Sequence, residues 1–147
     1  MDDNLDKRYQ TLLILWFALL MSIGIYFLFT LFVPPALSKQ PRNPTGSLLI
    51  VGLTALGTFL VIVSFAVKGK LLERSVEKQD ISLVQKALVI ACAMCEVSAL
   101  LGLLEHLVIG NREYYLLFLL AAAGTAFHFP RRIQLEAANY KNPAQLT

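Results

Sequence analysis

The stretch "LVQKALVIACAMCEVSALLGLLEHLVI", residues 83–109, decides the fold. As a helix it is long enough to cross the hydrocarbon core of a bilayer, which is roughly 30 Å thick and needs about 20 apolar residues. It nevertheless carries two cysteines, two glutamates and a histidine. Ala87, Ala91, Cys95 and Ala99 recur every four residues, joined by Ser98 and Gly102, so one side of the helix is a continuous shallow groove. No hydrophobic drive brings helices together in lipid, and small residues of this kind let another backbone approach closely. That face is expected to meet another helix.

Three more apolar runs, over 11–33, 47–67 and 114–129, accompany it. Apolar residues make up 56% of the chain and charged ones only 16%, against about 25% charged in soluble domains. The fold class read from this is all-α: a polytopic membrane protein whose residues 1–147 form a single antiparallel bundle of four transmembrane helices. The connections are too short for a soluble module with its own core. The first run is longer than the apolar stretch of a secretory signal, which has about 7–15 residues, and its flank "MDDNLDKR" is acidic before it is basic. It reads as a retained helix, and it is bulky enough to face lipid.

Orientation follows from Lys and Arg, which are retained on the cytoplasmic side. Lys7, Arg8, Lys68, Lys70, Arg74, Lys78, Lys86, Arg131, Arg132 and Lys141 fall on one side, and Lys39, Arg42 and Arg112 on the other, ten of 13 against three. Both termini are therefore expected in the cytoplasm and the protein in the inner, or plasma, membrane. The net charge of +3 is an insertion signal and an attraction to anionic lipid. Nothing in it asks for nucleic acid.

Pro34 and Pro35 end the first helix, because proline cannot continue the hydrogen-bond ladder. The connection "ALSKQPRNPTGS" is rich in turn formers. In the second helix Gly52 and Gly57 form small packing positions; in the third, Ala91, Cys95, Ala99 and Gly102; in the fourth, within "AAAGTA", Ala122 and Ala126. The segment "KGKLLERSVEKQD" reads as a helical extension of the second span, and "SLVQ", Ser82 to Gln85, has the spacing of a capping box. A short link around Gly110 and Asn111 makes helices three and four antiparallel neighbours. "RRIQLEAANYK" reads as a short helix on the membrane surface.

Glu96 is the sharpest polar feature, since an acid near the middle of a span marks an ion path, a proton relay or a paired site. Around it "KALVIACAMCEVSALLGLLEHLV" resembles the ion-carrying helix of the proteolipid c subunits of rotary ATPases, in which a glutamate is followed six and seven residues later by Gly-Leu. Glu96, Gly102 and Leu103 match that spacing, and the resemblance implies that Glu96 binds a translocated proton or cation. With "FHFPRR", the segment "EVSALLGL" is also similar to small four-helix bacterial membrane proteins, a likeness that implies no function.

Glu105 lies nine residues beyond Glu96, half a revolution away, so the two acids do not form a dyad. Glu105 is expected to snorkel to the interface or pair with Arg112. His106 and His128 sit near opposite membrane surfaces, where each could touch a haem or pigment but where interfacial histidine is the ordinary finding. Cys92 and Cys95 form C-x-x-C with no second pair and read as packing residues. No catalytic motif or metal-ligand spacing is present, so no enzymatic activity, metal or cofactor is expected. The first reading is a non-catalytic accessory or structural subunit whose partners are lipids and other membrane subunits, or further copies of itself. The second is ion translocation at Glu96, and the third is binding of quinone, pigment or lipid between helices.

Overall fold

With no water in hydrocarbon to satisfy a backbone, a chain of this composition closes its hydrogen bonds within helices, and the described residues contain helices and no strand. A computed structural model describes residues 3–35 and 44–139. The connection over 36–43, which includes Lys39 and Arg42, and the tail with Lys141 lie outside the described residues.

Five α-helices follow one another: α1 (Asp3–Phe32), α2 (Pro44–Lys78), α3 (Ile81–Leu104), α4 (Tyr115–Phe127) and α5 (Arg132–Asn139). Three of them are long and apolar enough to cross a membrane, over Leu5–Phe32, Ser47–Lys78 and, with the π-helical turn Glu105–Ile109 that continues α3, Ile81–Ile109. The fourth run is shorter than 114–129. The 13 residues of α4 rise about 20 Å at 1.5 Å each, less than the hydrocarbon thickness.

The volume beyond the short end of α4 is filled by α5. Pro130 separates the two helices, and α5 turns Leu135 and Ala138 into a cluster with Leu12, Val84, Leu88 and Cys92. The short helix expected over "RRIQLEAANYK" is α5, packed on α1 and α3 through Leu135 and Ala138 and held to α1 by an ion pair of 3.1 Å between Arg132 and Asp6. Both partners are half exposed, so the pair adds at most about 1 kcal/mol.

At the centre lies α3, which packs against α1, α2, α4 and α5. α1 and α2 flank it without packing on each other, and α4 rests on all three. The arrangement is a layer, α1–α3–α2, with α4 and α5 on one side. Small residues allow it: Ala87, Ala91, Cys95 and Ala99 are fully buried. A Cβ on Gly57 would stand 2.8 Å from Leu117 Cδ2, and one on Gly102 would stand 3.0 Å from Leu117 Cβ. α1 is not wholly a lipid-facing wall, for it exposes Ile14, Phe17 and Ile25 and buries Leu12, Ile23 and Thr30.

α2 runs unbroken to Lys78, and a tight turn through Gln79, at φ 51°, leads into α3. The cap of α3 is Asp80 and not the Ser82 box that the sequence suggested. Its Oδ1 accepts the Ser82 backbone N–H at 2.8 Å, two residues on, which is the N-cap geometry. Bonds from the Ser82 side chain and then its backbone hold the Asp80 carboxyl below the usual carboxylate range. A depressed carboxyl stabilises the fold above its unfolded pKa, and that contribution is lost as pH falls through the folded one. Acidification below about pH 4 should therefore lower the protection of the amides at the start of α3, measured against intrinsic exchange at the same pH. Asp80→Asn, whose side chain does not titrate, should remove this pH dependence in hydrogen-exchange measurements.

At the other end the π turn stops at Gly110 in the left-handed region, φ 68°, with the Asn111 N–H on the Glu105 carbonyl at 3.2 Å. A side chain at Gly110 would be strained, as glycine alone visits that region freely.

Candidate functional site

Polar groups gather at three depths along α3, and at each a different neighbour answers it. Midway along the Ile81–Ile109 span, Glu96 turns toward α1. Its Oε1 lies 2.6 Å from Ser22 Oγ and accepts the Tyr26 hydroxyl at 3.0 Å. Ser22 also has the Leu19 carbonyl at 2.8 Å, and one hydroxyl hydrogen cannot serve both oxygens. Ser22 therefore either donates to an ionised Glu96 or bonds Leu19 and accepts from a protonated one. Among the described residues no lysine or arginine pairs with Glu96. The α1 hydroxyls were the signal missed in the sequence: Ser22, Tyr26 and Thr30 recur every four residues and so share one face.

Just beyond the C-terminal end of α3, Glu105 is buried to 1% exposure. Oε1 accepts from Thr54 Oγ1 on α2 at 2.9 Å, and Oε2 accepts from Asn111 Nδ2 at 2.7 Å. Neither snorkelling nor an ion pair with Arg112 is found; Arg112 is exposed. The reason is geometric: the π turn and Gly110 fold Asn111 back over the carboxylate, so two neutral donors satisfy it inside the bundle. Beside it His106 is buried, its Nε2 2.9 Å from the Val33 carbonyl and its ring 4.4 Å from that of Tyr114. The Tyr114 hydroxyl lies 3.3 Å from Thr30 Oγ1, which also reaches the Phe27 carbonyl at 2.6 Å.

At the C-terminal end of α4 His128 is buried against Phe65, ring to ring at 4.4 Å. Ser64 donates to Val61 O at 2.6 Å and therefore accepts from His128 Nε2 at 2.8 Å, which places the imidazole proton on Nε2. Lys68 Nζ donates to the His128 carbonyl at 3.0 Å. Cys95 Sγ stands 3.7 Å from Ser64 Oγ, and Cys92 packs in the α5 cluster; both thiols are free and fully buried. Trp16 Nε1 donates to the Thr125 carbonyl at 2.7 Å, tying α1 to the end of α4.

The three clusters are separate. Glu96 meets α1, Glu105 meets α2, and the two histidines lie at opposite ends, each with Nε2 already engaged. Among the described residues no group of acids, histidines and cysteines has the geometry of a metal site. A cleft of about 310 Å³ opens between α1, α3 and α5, lined by Arg8, Thr11 and Gln85 among others. It touches neither Glu96 nor either histidine, so its size says nothing about them.

Of the small positions, Gly57, Ala91, Cys95, Ala99 and Gly102 are buried between helices and Ala122 is partly buried. Gly52 and Ala126 are exposed, and a Cβ on Gly52 would meet nothing. Gly124, which the spacing argument passed over, is the tightest position in α4: a Cβ there would stand 2.9 Å from both Cys95 Sγ and Val61 Cγ1. Comparisons with protein families, curated proteins and solved structures find no match to this chain.

Proposed function

We propose that the protein is a non-catalytic accessory subunit of a larger membrane assembly, crossing the membrane four times with both termini in the cytoplasm. One observation carries the reading: the α1–α3–α2 layer is covered by α4 and α5 on one side only. On the other side α3 exposes Val89, Val97 and Leu100. The ten-to-three division of basic residues supports the orientation. Purification of the tagged protein from its native membrane in mild detergent should bring defined membrane partners with it. Recovery as a stable species with no partner would overturn the reading.

A second reading, proton or cation binding at Glu96, is favoured by the Ser22 hydroxyl, which has acceptable partners for either protonation state of the acid. A carbodiimide that modifies protonated intramembrane carboxyls should then label Glu96 and not Glu105, and Glu96→Gln should abolish the labelling. Absence of labelling at Glu96 in intact membranes would remove this reading.

A further inference from the structure

From the surroundings of Glu96 we infer that the bare side of the α1–α3–α2 layer receives a transmembrane helix of another protein, and that this helix carries a lysine or arginine at mid-membrane depth. The inference rests on the accessory-subunit reading and names the chemistry of the partner.

Both hydroxyls that reach Glu96 take the same oxygen, Oε1. The other, Oε2, accepts no hydrogen bond among the described residues and is not among their fully buried unsatisfied atoms, so it opens at the surface of the half-buried side chain. That opening borders the side of α3 where Val97 is 44% and Leu100 is 41% exposed. The side facing α4 is closed, with Cys95 and Ala99 fully buried. A carboxylate oxygen left toward hydrocarbon at this depth costs several kcal/mol, and intramembrane acids are ordinarily paired with a base or a hydrogen-bond donor.

A second copy cannot supply the base. The sequence has no lysine or arginine over 9–33, 47–67, 87–109 or 113–130, so none lies level with Glu96. A lipid chain has no donor at mid-depth at all. A basic residue on the helix of a different protein satisfies Oε2 and neutralises the carboxylate at once, while Ser22 and Tyr26 hold the acid in place.

The test uses the full chain in its native membrane. A photo-crosslinking residue at Val97 should capture a membrane protein that has a lysine or arginine inside a predicted span; the same probe at Leu119, which is 62% exposed on the far side of α4, should not. Glu96→Gln, which keeps an acceptor for Ser22 and Tyr26 and so the fold, should lower recovery of that protein at least tenfold. Glu96→Lys combined with exchange of the partner's base for glutamate should restore recovery. Undiminished recovery with Glu96→Gln, a partner without an intramembrane base, or crosslinking of Val97 to a second copy would each overturn the inference while leaving an accessory role standing. Carbodiimide labelling of Glu96 within the intact complex would overturn it in favour of a protonated acid. No partner of any kind would overturn the accessory role itself.

Discussion

Glu105→Ala should unfold the protein in detergent far more readily than any substitution of the neighbouring Arg112. The carboxylate is 1% exposed and holds Thr54 on α2 and Asn111 beyond the π turn. Its removal leaves the buried Asn111 and the partly buried Thr54 without an acceptor, at about 1–3 kcal/mol for the buried donor and less for the other, so the summed loss is about 3 kcal/mol. Glu105→Gln retains one acceptor oxygen and places an amide against the other donor, and should lose roughly half as much. Arg112→Ala should be nearly neutral, because the exposed guanidinium is not a partner of the acid. Unfolding by a denaturing detergent, followed by circular dichroism, separates these outcomes. Equal effects of Glu105→Ala and Arg112→Ala would show that the carboxylate is held by the ion pair the sequence first suggested.

The second large effect is expected at Gly124. Its Cα faces α2 and α3 where they come together, and even the single methyl of Gly124→Ala would stand 2.9 Å from Cys95 Sγ and from Val61 Cγ1. Neither neighbour is the free end of a long side chain; Val61 is 4% exposed and Cys95 is fully buried. Overpacking of this kind costs about 1–3 kcal/mol. Combining it with Cys95→Ala, which deletes one of the two obstructing atoms, should cost less than the sum of the single substitutions, since residues in contact do not act additively. Gly52→Ala supplies the contrast: a Cβ there meets nothing within the chain, so stability should not fall. The same unfolding measurement decides all four. A Gly124→Ala variant as stable as the parent would mean that α4 can move away from α2 and α3 without loss.

These positions show where sequence reasoning succeeds and where it stops. The small face of α3 can be read because its period is that of one helix, and Ala91, Cys95 and Ala99 lie within nine residues. The contacts of Glu105 cannot. Arg112 is near in sequence and opposite in charge, whereas Thr54 is 51 residues away and uncharged. The Asp80 cap could have been found from the local rule that favours aspartate before a helix, and the hydroxyls of α1 from their four-residue interval. Taken singly, Ser22 and Tyr26 looked like incidental members of an apolar run.

By itself the sequence determined that this is a helical chain with long apolar spans. Hydrocarbon demands runs of fixed length with internally closed hydrogen bonds, and proline, glycine and charge interrupt them visibly. Only the tertiary structure decided that α4 is short and α5 packs beyond it on α1 and α3, that Glu96 belongs to α1 and Glu105 to α2, and that one side of the layer is bare. In lipid, burial no longer distinguishes one apolar face from another. Pairing is left to shape and to hydrogen bonds between residues far apart in the chain, as with the 74 positions that separate Ser22 from Glu96.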